Sequence, residues 1–537
     1  MKINIDRFVL QRFALAYVAL PSFVFVATWV RPAVGVPAAI LLAWAAFRLM
    51  RSMWGGDETG RLTSSCDMLS VSVPCCALFF VAVLAWCVLS GQGGLVPQSY
   101  DWHWRNALFR DLLTHEWPVI YPVQDKALVF YLGHWLPPAF LAKVLSACGL
   151  GAGKVWAVGK ALLLAWTFLG VAIVFLQAIV LVRATGFPKM FMVLAVLAFG
   201  DGLDLLGIAV KNVCDLATTG SCGTFWPTSF HWLDGMLYAH HGTLLYWVFH
   251  QTVVPWIAVL CLADGFPLGG AALLLSLVLL CGPFPAIGIA VMAAFLAAKE
   301  AKACGFDFRL LARLLFSVEN FVGALVVLPV VGAYLTANPQ SGVFHFAWAG
   351  VPPKTFFFRY LLFVMCEAGL YFLATWRHFR GNVWWWSVLF VLLLCPLVKV
   401  GAGCDFSQRV STPAWLVLLL MTLHSMVEFW KERKAVALSI AFLLVLGAGV
   451  PIANMKFLLV DRGRDGLGGG ERDAIVSFGR DGAEAAKNLP YPHCKLKDIT
   501  MNCCCRNPGG RFFYKWLARR HDPEPDGRSA VGREERK

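Results

Sequence analysis

The densest mixture of charge and aromatic rings in the chain lies in residues 91–122, GQGGLVPQSYDWHWRNALFRDLLTHEWPVIYP, directly after an apolar run. Asp101, His103, Arg105, Arg110 and Asp111 crowd into eleven residues there. A carboxylate near apolar surface and beside cations has its proton affinity tuned, which is what proton transfer requires. Asp101, the first carboxylate after the run, is the candidate general base, and Asp111 is its rival. His103, Arg105 and Asn106 are candidate substrate contacts. The rings of Trp102, Trp104, Trp117 and Tyr121 fit an interfacial aromatic belt, a reading that covers the aromatics and leaves the charges unexplained.

A second polar stretch, KVGAGCDFSQRVSTPAW at 399–415, carries Lys399, Asp405 and Arg409. Asp405 and Arg409 are four apart and face each other on any helical turn. They are either an ion pair closing a tight loop or a phosphate clamp, in which the planar fork of Arg409 grips the phosphate and Asp405 orients it. A third stretch, 222–251, holds His231, Asp234, His240 and His241, a His/Asp set with metal-binding chemistry but no spacing that matches a strong metal signature. No cofactor is expected, and a divalent metal is not favoured. His134 and Gln251 complete the candidate substrate contacts.

Ionisable groups inside apolar spans are costly and draw functional suspicion. Asp201 and Asp204, at the outer end of one expected span, are placed to join the exterior site; His250 and Glu367 sit in others. His424 and Glu428, four apart, are expected to satisfy each other. Cys214 with Cys222, and Cys494 with one of Cys503, Cys504 or Cys505, are disulfide candidates. Most other cysteines lie in apolar runs, where a thiol behaves as a small hydrophobe.

The elements that position these residues are membrane spans. The chain has 537 residues, 59% of them hydrophobic and only 15% charged, a balance foreign to soluble domains of this length. The net charge of +14 falls mostly in short clusters between apolar runs, which excludes nucleic acid as the partner and makes the charges orientation signals. A span needs about 20 apolar residues. Candidates near 11–29, 33–50, 71–90, 155–182, 190–210, 241–263, 267–281, 284–298, 315–335, 355–375, 383–400, 412–430 and 435–456 predict an all-α polytopic protein of about thirteen transmembrane helices. The first is read as an uncleaved helix. Between 128 and 148 the Pro137-Pro138 pair predicts a re-entrant or interfacial elbow helix. Basic residues at 51–70, 183–189, 299–313, 377–382 and 431–434 put the N-terminus in the cytoplasm. Residues 91–127, 211–240, 336–354 and 401–411 then lie outside, with the tail. A transmembrane domain thus covers 1–456, and 457–537 form a polar exterior tail, partly disordered.

The pattern resembles the GT-C superfamily of membrane glycosyltransferases. The resemblance rests on YDWHWRNALFRDLL after an early span, on EWPVIYP followed by FYLGHWLPPAFLAK, and on DFSQRVSTPAW. With LLYWVFHQTVVPWI and the tail motif RFFYKWLAR, these stretches also resemble a group of bacterial polytopic membrane proteins without an assigned substrate. The resemblance implies an inner-membrane enzyme that moves a sugar from a polyprenyl-phosphate-linked donor to an extracytoplasmic glycan, lipid or protein acceptor, with Asp101 as base. A polysaccharide ligase or polymerase shares the donor and the exterior site. A transporter or flippase of a lipid-linked glycan would instead use the polar groups inside spans. One departure is that the acidic loop follows the third expected span, whereas the superfamily has it after the first. Either the two leading helices are an addition, or 11–50 is not two full spans; both leave Asp101 outside.

Overall fold

The computed structural model describes residues 1–53, 60–63, 67–99, 101–122, 125–220, 232–233, 235–338, 344–400, 403–461 and 503–520. Eight helices are long and apolar enough to cross a membrane: Arg7–Trp29, Pro32–Ser52, Ala152–Val182, Pro283–Ala303, Val318–Leu335, Pro353–Phe379, Asp405–Glu432 and Lys434–Val460. Two bent pairs raise the count to ten: Phe187–Phe199 with Asp204–Thr219, bent by 49°, and His241–Gln251 with Val253–Ala263, bent by 107°. The remaining expected spans are the shorter apolar helices Val73–Leu89, Leu268–Val278 and Val383–Leu397. The polytopic all-α architecture is therefore observed with eight to ten candidate spans among the described residues, where the hydropathy pattern predicts thirteen. Hydropathy counts apolar residues, whereas a span also needs an unbroken helix. Here Val73–Leu89, Leu268–Val278 and Val383–Leu397 are helical but shorter than the other candidate spans, and Gly200 breaks another run into a bent pair.

Polar contacts gather the connections at two ends. At one end Arg7 reaches Asp67 and Asp264, Leu62 N donates to Ala263 O, and the Asn382 side chain donates to Leu62 O. Thr63 Oγ1 donates to Leu181 O, and Arg377 pairs with Glu432. A two-stranded sheet, Lys2–Asp6 against Met68–Ser72, sits at the same end. These are the connections expected to share the basic face.

At the other end the strands Ile120–Tyr121, Lys126–Leu128 and Cys504–Arg506 form one antiparallel sheet. The tail therefore returns to the first loop. Its segment 511–519 is also fastened to the end of the first helix: Val30 bridges Ala518, Arg31 N donates to Leu517 O, and Arg519 N donates to Trp29 O. Phe513 packs on Phe25 and Tyr334, and Tyr514 Oη donates to Leu128 O at 2.7 Å. A second small sheet pairs Phe344–Phe346 with Val398–Val400. The last helix runs on through Asp461.

The expected elbow is the 12-residue helix Leu136–Ala147, too short to cross a bilayer. Pro137 and Pro138 occupy its first turn, where their missing N–H groups cost nothing. Leu136, Ala139 and Ala142 are buried, whereas Phe140, Leu141, Val144 and Leu145 are exposed. Lys143 Nζ donates to His115 O at 2.6 Å, which ties the elbow to the loop before it.

Candidate functional site

The helix Trp102–Thr114 presents the charged loop. Asp101 stands at its start with a side chain 47% exposed, and Arg105, one turn on, donates from Nη2 to Asp101 Oδ2 at 2.8 Å. Arg105 is buried, its guanidinium 5.7 Å from the centre of the Phe249 ring, which in turn stacks on Trp102 at 4.8 Å. Burial pulls the Arg105 pKa down to about 10, against the pull of Asp101 and helped by the charge of Arg409. The side chain thus stays cationic at neutral pH.

Asp111 points elsewhere. It is fully buried, accepts from Tyr121 Oη at 2.6 Å, and has His115 Nδ1 3.8 Å away. Burial, followed by the neighbouring Asp111 charge, raises the Tyr121 phenol well above its ordinary value, so the hydroxyl remains a donor.

Asp405 opens the helix Asp405–Glu432, so the expected short turn is in fact helical from its aspartate onward. A carboxylate in the first turn complements the helix dipole. Arg409 Nη2 donates to Asp405 Oδ1 at 3.2 Å, the expected four-residue pair. Arg105 and Arg409, from separate elements, lie within electrostatic reach of one another. Tyr131 feels both Arg409 and Asp405; burial raises its phenol, with Arg409 working the other way. His250 lies in the field of Arg105, Arg409 and His134, stacks on Trp135 at 4.7 Å, and has Gln251 Nε2 3.2 Å from its Nε2. Cys503 of the tail also borders Arg105; burial pushes this thiol up to about 12, so it is not a nucleophile at neutral pH.

Two nitrogens of this group stand out. Arg105 Nη1 and Arg409 Nη1 are both buried and have no hydrogen-bond acceptor among the described residues. A guanidinium offers five donors and is costly to bury unsatisfied.

The other predicted contacts are placed as follows. Asn106 Nδ2 donates to Gln98 Oε1 at 2.9 Å, and His134 Nε2 is 2.9 Å from Thr167 Oγ1. Lys399 lies on the strand Val398–Val400 with its ammonium against Gly235, where a side chain at position 235 would displace it. The side chain of His103, together with His231, Asp234, Cys222 and Cys494, lies outside the described residues, so both disulfide candidates do as well. His424 and Glu428 are not the expected mutual pair: Glu428 accepts from Lys431 at 2.8 and 3.0 Å, and His424 packs edge-on against Phe379. A full cation three residues on outcompetes a neutral imidazole.

A second cluster unites residues suspected only singly. Asp201 and Asp204 flank the break between Phe187–Phe199 and Asp204–Thr219, at a kink within the expected span and not at its outer end. His240 Nδ1 stands 3.4 Å from Asp201 Oδ2 and 3.4 Å from Asp204 Oδ2. Glu367 interacts with Asp204 and accepts from Trp232 Nε1. Its carboxylate occupies the space a side chain at Gly202 would need. Tyr371 Oη donates to Asp201 O at 2.9 Å. All four ionisable side chains are buried. The signal available in the sequence was the glycine pair in FGDGLD, which breaks a helix beside two acids.

The fold defines a class, a multi-pass helical membrane protein with a buried polar core at one end. Comparison with family models, with curated proteins and with solved structures returns no match for this chain.

Proposed function

We propose that the chain is a membrane glycosyltransferase of the GT-C kind, taking its sugar from a polyprenyl-phosphate-linked donor and passing it to an extracytoplasmic glycan, lipid or protein. The observation that supports this reading is the pair Arg105, buried, and Arg409, partly buried, drawn together from separate elements, each with a buried guanidinium nitrogen lacking an acceptor among the described residues. Like charges repel, and such a pair is favoured when an anion lies between them. Asp101, bonded to Arg105 and half exposed, is one of the two carboxylates beside that anion, the other being Asp405 on Arg409. In the proposed reaction the arginines hold the phosphate of the donor and later the charge on the leaving group. Asp101 takes the proton of the acceptor hydroxyl as the oxygen attacks the anomeric carbon. The glycosidic C–O bond forms as the bond to the phosphate oxygen breaks, and the lipid phosphate leaves. The elbow helix, apolar on its outward side, fits a lipid chain approaching the site. The basic connections at the opposite end support reading this end as the extracytoplasmic face of a bacterial inner membrane.

The test is binding of a polyprenyl phosphate to the purified protein in detergent micelles. Arg105→Gln and Arg409→Gln should each weaken it about 10–100-fold, the worth of a charged hydrogen bond. Affinity unchanged in both would overturn the reading. A second reading, transport of a lipid-linked glycan, draws on the two broken helix pairs and their buried acids. It predicts movement of labelled lipid across a liposome bilayer without any transfer product.

A further inference from the structure

We propose that Asp201, Asp204 and His240 form a binding site for a divalent first-row cation of the Mn²⁺ or Zn²⁺ type, with Glu367 as a fourth ligand or its close neighbour. The inference is independent of the glycosyltransferase reading.

The geometry comes first. One ligand atom from each of Asp201, Asp204 and His240 lies within 4.8 Å of the others. The two separations from His240 Nδ1 are 3.4 Å. That is longer than a hydrogen bond, yet it matches the edge of a tetrahedron around an ion with bonds of about 2.1 Å, which measures about 3.4 Å. Asp201 Oδ2 and Asp204 Oδ2, on side chains only 1% and 2% exposed, accept no hydrogen bond of proper geometry. Both lie beside the same ring nitrogen, His240 Nδ1.

The chemistry of the donors gives a second line. Glu367 interacts with Asp204 and so brings a third carboxyl to the pair of aspartates. Three carboxyls and one imidazole are thus buried side by side. No lysine or arginine is paired with them among the described residues. Carboxylate oxygen with imidazole nitrogen is the donor set that suits Mn²⁺ and Zn²⁺ more than Ca²⁺ or Cu⁺.

The local backbone is built for such a site. The break at 200–203 aims Asp201 and Asp204 inward from either side of the kink. A broken helix buried in protein is also how membrane proteins frame ion sites. Tyr371, bonded to the Asp201 carbonyl, and Trp232, bonded to Glu367, fix the orientation of the set.

The experiment is elemental analysis of the full chain purified in detergent, followed by chelation and titration with Mn²⁺ alone or Zn²⁺ alone. About one ion per chain should bind, raising the melting temperature as ligand linkage demands. Asp201→Asn and Asp204→Asn should each weaken metal affinity about 100-fold or more, and Glu367→Gln less than that. If these variants fail to fold, spin-echo spectra of the Mn²⁺-loaded wild type decide, since coordination by His240 gives a nitrogen coupling. No bound metal together with a melting temperature indifferent to chelator, Mn²⁺ and Zn²⁺ would overturn the site. So would wild-type affinity in both aspartate variants, or Mn²⁺ bound without nitrogen coupling.

Discussion

Two arginine clusters at opposite ends of the helical body solve the same problem differently. Arg7, fully buried, uses all three of its nitrogens: Nε donates to Asp264 Oδ2 at 3.0 Å, Nη2 to Asp264 O at 2.9 Å, and Nη1 to Asp67 Oδ1 at 3.0 Å. Gln11 adds a further bond to Asp264 Oδ2 at 2.8 Å. Arg105 and Arg409 instead sit in each other's field, and each leaves Nη1 without an acceptor among the described residues. A saturated network locks the helices where they are. An unsaturated one keeps valences for something that arrives, at a cost in stability that the rest of the fold must bear. The difference separates polar groups that hold the chain together from polar groups held ready by it.

The largest expected effect tests the second kind. Asp101→Asn keeps the shape and removes the basicity, so transfer should fall about 10²–10⁴-fold while the melting temperature and donor binding persist. Loss of a cell-envelope glycan in a complemented deletion strain is the first readout. Asp111→Asn should act through stability, because Asp111 is buried beneath Tyr121. If Asp111→Asn instead abolishes transfer in a fully stable protein and Asp101→Asn does not, the base is Asp111.

The saturated network predicts the opposite signature. Arg7→Met leaves Asp264 buried without its cation and should cost about 3–5 kcal/mol, read as a large fall in the detergent melting temperature. Arg409→Gln should leave that temperature unchanged or raise it, because it removes a repulsive partner of Arg105. Equal destabilisation by the two substitutions would erase the contrast.

A smaller effect concerns pH. A cationic donor holds its charge below its pKa and loses it above, so with Arg105 pulled down to about 10, polyprenyl phosphate binding should be flat from pH 7 to 9 and decline as pH passes 10. A decline centred near pH 7 would assign the anion contact to a group other than these arginines.

Much of this arrangement was legible in the chain, and the limits are physical. Apolar runs and basic connections are local signals, so each expected span is a helix or helix pair, and the connections gather at the expected ends. The Asp405–Arg409 pair follows from helical spacing alone. The meeting of Arg105 with Arg409 does not, because it depends on how the loop helix and the Asp405–Glu432 helix pack. Nor was the Asp201, Asp204, His240 and Glu367 cluster readable as one object: its members come from three separate stretches, and only the glycines at 200 and 202 hinted at the kink that turns the acids inward. Three of the thirteen expected spans are apolar helices shorter than a full crossing, a length that hydropathy alone does not register. The tail misled in another way. Its composition suggested a separate polar extension, yet the strand Cys504–Arg506 and the motif RFFYKWLAR bury rings against the first helix.

That return of the tail supplies the smallest effect. Tyr514 Oη donates to Leu128 O at 2.7 Å, and Tyr334 Oη reaches the same oxygen at 3.3 Å. Tyr514→Phe therefore removes one of two donors to a carbonyl that keeps the other, and it should cost no more than the net worth of a neutral hydrogen bond, about 1 kcal/mol. Leu128 leads through Phe130 to Tyr131, which lies in the field of Arg409, so the carbonyl is also a point where the tail can steady the donor pocket. If the tail only seals the fold, the substitution lowers the melting temperature slightly and leaves polyprenyl phosphate affinity alone. If it steadies the pocket, affinity falls by more than the stability loss explains, and Tyr334→Phe repeats the effect. A combined Tyr334→Phe and Tyr514→Phe variant leaves the carbonyl without either hydroxyl, so its loss should exceed the sum of the single losses. Simple additivity would show that the two hydroxyls act independently, with no shared grip on the loop that carries Tyr131.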